Sequence, residues 1–335
     1  MSSLINQLNA TTEYYWLNTD ATDILNKASA LLWKLMGNAI QQDNWEVKPH
    51  ETVDGGLMVK VPLEYQNSNS GGYSANTIIN QSKKDIIDAA RFGWAGVYGS
   101  NTLNLDDQTQ NTGDEAIISL TKQYMKSIIK AARVQMASDI IALAATGLAA
   151  DGSVHINGLL DLFCTTTSTA YGAIKEDDMA QWKANVITTA EPISFEVMQK
   201  IFRTPAMGDF KNMRPDFVCT TTVLRDGYER SLHPQQRYAH EKMIEAGWDN
   251  ILHKGAPIVA DEYVAASYSG YLFALNTNFI HLRSHKDYNF TTPVWMAKTV
   301  LGQPDVITAD TRWRGNLFCS NRKMHVMHTG LTEPV

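Results

Sequence analysis

The stretch GDEAIISLTKQYMKSIIKAARVQMASDIIALAATG, Gly113 to Gly147, decides the fold. It has no proline, and no glycine between its two ends. Asn111 and Thr112 ahead of it are good capping types, and Asp114 and Glu115 sit where the positive end of a helix dipole favours carboxylates. Gly147 suits a left-handed stop. Ile118, Met125, Ile129, Met136 and Ile140 recur at a spacing that averages close to the helical period, so one face is apolar along the whole length. Lys122, Lys126, Lys130 and Arg133 fall on another face. A rod over these residues would be roughly 50 Å long, against an average helix of about three turns. It needs one long partner surface or a neighbouring subunit.

The sequence just upstream has a different period. Leu57, Val59, Val61, Leu63 and Tyr65 alternate with other types, as in a strand covered on one side. Pro62 inside the run is tolerated mainly at a sheet edge, and Lys60 and Glu64 discourage uncontrolled edge pairing. The polar tip QNSNSGGYS, Gln66 to Ser74, follows, and Ala75 to Gln81 reads as a second extended stretch. Together they predict a long two-stranded ribbon, which is marginal in water unless it lies on something. That support is either the chain's own body or another subunit. Residues 1–50 read as an arm with one helix, in which Ile24, Ala28, Leu31, Leu32, Leu35 and Met36 recur up to Gly37.

Residues 83–105 predict strands leading to the rod. Beyond it, NGLLDLF (Asn157–Phe163) and AYGAI read as short strands or turns, and Ser194 to Thr204 as a capped amphipathic helix. Phe217 to Thr220 predicts a strand feeding a helix capped by Thr221 or Thr222. GAPIVADEYV, SGYLFALN and NFIHLRS predict three more strands, and PDVITADTRWRGNLFCSNRKMHVMH should close the chain as strands. Strands and helices mix without regular alternation, which fits an α+β class rather than a doubly wound sheet.

The chain has 335 residues, 44% of them hydrophobic, enough for a sizeable core. A formal charge of −6 argues against a dedicated DNA reader, though not against a protein that merely encloses nucleic acid. Cys164, Cys219 and Cys319 are sparse and widely spaced, which suits a reducing compartment and offers no zinc spacing. The first residues lack the pattern of a signal peptide, and no apolar run is long enough to span a membrane, so the expectation is a soluble cytoplasmic protein.

The common phosphate-, dinucleotide-, zinc- and serine-hydrolase motifs are all missing. His281 and His285 have a ligand spacing only if helical, and their surroundings read as strand and loop. The carboxylate pairs Asp106–Asp107, Asp177–Asp178 and Asp261–Glu262 read as solvated, and Cys164 and Cys219 as small buried hydrophobes. No catalytic residue, metal site or cofactor site is expected. Arg312, Arg314, Arg322 and Lys323 form the one compact basic set, either a solvated strand face or a contact with acidic groups of a neighbour or with nucleic acid.

Several motifs are more specific in their order than singly. They are GGLMVKVPLEY (Gly55–Tyr65), the approach to the rod through Asn111 and Glu115–Ile118, and NGLLDLF followed by YGAI and Trp182. HPQQRY (His233–Tyr238), GWDNILHKGAPIV, YLFALNTNFIHLRSHKDYNF and GNLFCSNRKMHV (Gly315–Val326) follow. In this order, from about Gly55 to Leu331, the chain resembles the major capsid proteins of tailed bacteriophages, whose shell fold was first described for phage Hong Kong 97. One departure is that the family carries Asp-Arg after the isoleucine of YGxI, where this chain has Lys175 and Glu176.

The resemblance implies an N-terminal arm over 1–52 and an extended loop over 53–98 lying on an adjacent subunit. It implies a peripheral domain over 99–154 and 286–335, with a spine helix over 114–147, and an axial domain over 155–285. It further implies a structural protein of the virion, assembled in the host cytoplasm from pentamers and hexamers into an icosahedral head. The head would enclose double-stranded DNA without reading its sequence and without a membrane. The matching body starts too close to Met1 for a long scaffolding segment, so either a separate scaffold or none is expected, with a portal and decoration proteins as further partners. Leu57, Val59, Lys60, Val61, Leu63, Tyr65, Arg312, Arg314 and Arg322 are the expected inter-subunit contacts. A cellular nanocompartment shell of the same fold, or a soluble enzyme built on the long helix, are the alternatives.

Overall fold

The computed structural model describes residues 29–36, 51–76, 78–104, 114–141, 155–164, 170–205, 213–232, 250–265, 268–291, 294–297 and 306–334. Most of the expected arm, the caps Asn111 and Thr112, Gly147, and the HPQQRY motif lie outside these residues. In chain order the elements begin with α1 (Ala30–Met36), β1 (Glu51–Val53), β2 (Val59–Glu64), β3 (Ile87–Phe92), β4 (Ala95–Asn104) and α2 (Asp114–Ile141). Next come α3 (Leu159–Leu162), β5 (Asn185–Ile187), β6 (Glu191–Pro192), α4 (Phe195–Arg203), β7 (Phe217–Thr220), α5 (Thr222–Ser231), β8 (Asn250–His253), β9 (Ala256–Ala260) and α6 (Glu262–Ala265). The chain closes with β10 (Leu272–Leu275), β11 (Ile280–His285), β12 (Val294–Ala297), β13 (Val306–Cys319), β14 (Val326–His328) and β15 (Leu331–Thr332).

Two sheets organise these elements. In the first, β13 is the central strand: β11 and β12 pair along one side of it, β4 along the other, and β1 adds to β11. The helix α2 lies on this sheet with Ile128, Ala132, Met136 and Ile140 inward. The expected stripe is therefore turned by one residue near the middle of the rod, where Ile128 is buried and Met125 and Ile129 are half-buried. Gly99 explains the rotation. A Cβ there would stand 2.3 Å from the carbonyl oxygen of Ile128 and 3.2 Å from the amide of Ala132, so strand backbone meets helix backbone directly. The helix runs over 28 residues, roughly 42 Å.

The second sheet runs β5-β14-β10-β7-β9-β8. Its central strands β7 and β10 are buried at every position, as expected of strands covered on both faces. Val218, Ile258, Leu272, Ala274 and Val326 face α4 and α5, where they meet Met198, Ile201, Phe202, Leu224 and Tyr228. Phe217, Cys219, Val259, Phe273, Leu275 and Met327 face the other way, into the cluster shared with α2 and the first sheet. The caps are as the sequence predicts: Ser194 accepts from the Val197 amide and Thr221 from the Leu224 amide, each at 3.3 Å.

Three expectations need correction. NGLLDLF forms the short helix α3 rather than a strand. The closing strand β14 pairs with β10 and β5 in the second sheet, and β15 pairs with β6 in a separate two-stranded sheet, so residues 326–332 do not join the first sheet under the long helix. The ribbon partner of β2 is β3, in register Val59↔Phe92 to Glu64↔Ile87, and not the stretch Ala75–Gln81. Beyond that stretch, Gln66 Nε2 donates to the Asp85 carbonyl and Asn69 Nδ2 to the Ser82 carbonyl, so side chains there occupy backbone acceptors that a longer ladder would need.

Candidate functional site

The ribbon β2–β3 has two unlike faces. Val59, Val61, Leu63, Ala90 and Phe92 are all buried in the chain's own core. Lys60 and Glu64 point to solvent on the opposite face with Ile87 and Arg91, and Tyr65 is half-buried against the core. Of the six ribbon positions expected to reach a neighbour, Val59, Val61 and Leu63 are thus already covered internally. Strict alternation reports that one face is buried but not whose surface buries it. What remains uncovered lies at the ends and tip: Leu57 is 90% exposed, Tyr73 79%, Ile78 95%, Ile79 61% and Ile87 71%. Tyr73, Ile78 and Ile79 project from a loop of otherwise polar residues, while Leu57 precedes β2 and Ile87 opens β3. Only Leu57, Ile78 and Ile79 were visible as candidates from strand-like patterning; Tyr73 and Ile87 carried no periodic signal.

A second exposed surface lies on the first sheet, on the face away from α2. The register pairs Tyr98 with Arg312 and Gly96 with Arg314. Tyr98 is 72% exposed. Gly96 has no side chain to fill the space beside Arg314, and Ser100 and Asp310 complete a shallow open groove. Arg312 Nε donates to the Asp310 carboxylate at 2.6 Å, and the Arg314 guanidinium lies 5.8 Å from the centre of the Tyr288 ring. Arg312 and Arg314 are both exposed on this face.

Arg322 is not, and its expected role as an inter-subunit contact is corrected. The chain leaves β13 through a short turn that folds this side chain inward to 1% exposure. Its Nε donates to the Leu162 carbonyl at 2.8 Å, Nη1 to the Trp182 carbonyl at 2.9 Å and Nη2 to the Cys164 carbonyl at 3.0 Å. Glu176 supplies the counter-charge at 3.2 Å, and the rings of Tyr171 and Trp182 flank the guanidinium at 5.2 and 5.9 Å. Burial works against the Arg322 charge, and the Glu176 carboxylate offsets it. Glu176 is one of the two residues that depart from the family pattern.

The remaining polar groups read as structure. His281 and His285 lie on one strand, where four residues span roughly 13 Å, too far to share an ion; among the described residues no cluster could hold a metal. His281 stacks on Phe318 and His285 packs edge-on to Trp94. Burial raises the Cys219 thiol well above the usual range and pushes Cys319 up to about 12, which leaves neither as a thiolate. The Asp261 carboxylate is buried and receives the Ser29 hydroxyl at 2.8 Å and the Leu31 and Tyr263 amides at 3.2 and 3.0 Å, fixing α1 beside α6. Among the described residues no helix is long and apolar enough to cross a membrane.

No family model and no curated protein matches the chain. Solved structures do, over nearly the whole length of both partners. The capsid asymmetric unit of cyanophage A-1(L) is 13% identical, covers 94% of this chain and 95% of its own, and superposes with a TM-score of 0.67. The chain has the Hong Kong 97 shell fold. The capsid of Myoviridae phage XM1 is 9% identical over 93% of this chain and 95% of its own, with a TM-score of 0.54. The SrpI encapsulin of Synechococcus elongatus is 8% identical over 95% of each chain, with a TM-score of 0.56. At such identities the likeness is one of fold.

Proposed function

We propose that copies of this chain close into an icosahedral shell that holds double-stranded DNA, a structural role and not an enzymatic one. The observation that carries this reading is the ribbon: one face is buried in its own subunit, while Leu57, Tyr73, Ile78, Ile79 and Ile87 stand uncovered at its ends and tip. Full burial of one such side chain is worth about 1.5–3 kcal/mol, so a few per contact offset part of the cost of association. Closed symmetry repeats each modest contact many times. The groove at Tyr98, Arg312 and Arg314 is the second contact surface in this proposal, with Lys60 and Leu57 on the ribbon. The net charge of −6 suits a container that does not grip DNA tightly. Pentamers and hexamers would be the building units, with a separate scaffold, a portal and decoration proteins as partners and the virion as the place of work.

The encapsulin likeness favours one second reading, a nanocompartment with protein cargo. Electron microscopy of the purified, concentrated protein tests the shell: closed isometric particles are expected, and a monomer at every concentration overturns it. Absorbance of particles recovered from the native source then separates nucleic acid from protein contents.

A further inference from the structure

The ribbon emerges from the first sheet, through β1 on one side and β4 on the other, where Asn316 Nδ2 donates to the Gly93 carbonyl at 2.8 Å, and a second polar hold lies elsewhere. Arg91 N donates to the Gly172 carbonyl at 2.8 Å. Gly172 sits in a tight turn closed by two hydrogen bonds between Tyr171 and Ile174, at 3.2 and 3.3 Å. Gly172 and Ala173 both have positive φ, 63° and 65°. This is the backbone of a primed turn, and alanine adopts it at a cost. A Cβ on Gly172 would stand 2.8 Å from Phe92 Cζ and 2.9 Å from the Ala90 Cβ, so only glycine lets the turn close on the ribbon. The Tyr171 ring meets Phe92 edge-on at 5.1 Å.

The turn is itself held from below. The Tyr171 carbonyl accepts from Trp182 Nε1 at 3.0 Å, and the Tyr171 and Trp182 rings both flank Arg322. Glu176, two residues past the turn, forms an ion pair with Arg322 Nη1 at 3.2 Å and accepts from the Ala184 amide at 3.2 Å. Contacts therefore run unbroken from the Arg322–Glu176 pair through Tyr171 and Gly172 to Ala90, Arg91 and Phe92.

We propose that the Tyr171–Ile174 turn is a clamp that fixes the direction of the ribbon, and that the Arg322–Glu176 pair positions the clamp. Among the described residues β2 and β3 pair only with each other, and such a ribbon has little order of its own. Its order is borrowed in part from this turn, beside the Asn316 bond to the Gly93 carbonyl and the Phe92–Phe318 contact at its base, so a shift of the turn relative to the first sheet swings the ribbon. For assembly, which rests on the shell reading above, the clamp presents the uncovered tip at one angle before any neighbour arrives.

Hydrogen exchange on the full-length chain, kept dissociated at low concentration, tests the clamp whether or not the shell reading holds. In Gly172→Ala, amides of 60, 61, 63 and 88–91 should exchange about tenfold faster or more, while those of β7, β9 and β10 keep their parental rates. Glu176→Gln, which never touches the ribbon, should loosen the same ribbon amides to a smaller degree. If Gly172→Ala does not fold, Glu176→Gln alone decides by the same criterion. Unchanged ribbon exchange in the variants that fold, or a rise spread equally over the second sheet, overturns the proposal. If the ribbon loosens as expected but the parent forms no particles, the clamp stands and the shell reading falls.

Discussion

Arg322 and Glu176 meet at 3.2 Å with side-chain exposures of 1% and 6%, an ion pair sealed inside the protein. Removing one member of such a pair leaves the other charged, buried and unpartnered, which typically costs about 3–5 kcal/mol. Three main-chain carbonyls, those of Leu162, Cys164 and Trp182, also lose their donor. Arg322→Ala should therefore lower the urea midpoint sharply. Arg322→Met combined with Glu176→Met should lose less than Arg322→Ala, because no lone charge remains. Equal or greater loss in the double variant would mean that the carbonyl bonds, not the charge pairing, hold the site.

Acid should destabilise the subunit well before most carboxylates titrate. Burial holds His253 down to about 4 and His325 to about 3. Each ionises near 6.5 once the chain unfolds, so the unfolded state binds protons first as pH falls. Stability should be flat above about pH 7 and then decline, approaching about 1.4 kcal/mol per pH unit for each histidine, until the folded form protonates near 4 and 3. Glu191, held below its ordinary value by its hydrogen bonds to His328 and Lys200, adds a loss of the same sign at lower pH. Urea melts across pH 8 to 4.5 read the slope. His253→Gln, which keeps a partner for the Tyr228 hydroxyl, should flatten part of it; an unchanged slope would place the acid sensitivity elsewhere.

The contact between β4 and α2 leaves no room at Gly99. Gly99→Ala puts a methyl group 2.3 Å from the Ile128 carbonyl oxygen, so helix and strand must separate. Overpacking of this kind costs about 1–3 kcal/mol. Thermal melts should show the loss, with amide protection reduced along 128–136 and 97–101 together. A melt equal to the parent's would show that α2 shifts freely on its sheet.

The long helix was legible because a 3.6-residue period over so many residues has few other readings, though its face was turned by the one glycine that sequence could not place beneath it. The β2 strand was legible from alternation, and so was the burial of Val59, Val61 and Leu63, but not the identity of the surface that covers them. The ribbon's return strand was misplaced because Ile78 and Ile79 looked more strand-like than IDAARF. The β2 ladder instead pairs with 87–92, which bury Ala90 and Phe92 beside Val59 and Val61. Arg322 was grouped with Arg312 and Arg314 because all three are close in sequence; the turn at Ser320 and Asn321 sends it into the core instead. Glu176, its partner, stood out only as a departure from a motif.

The central claim is that the ribbon tip is unfinished in a lone subunit and is completed by other copies. Sedimentation velocity of the parent beside a variant lacking residues 66–74 tests this most directly. The account predicts fast-sedimenting closed particles for the parent, and for the deletion a species of subunit size that melts cooperatively near the parental midpoint, since Tyr73 and its polar neighbours contribute nothing to the core. Particles from the deletion indistinguishable from the parent's, or a parent that stays at subunit size at every concentration, would contradict it.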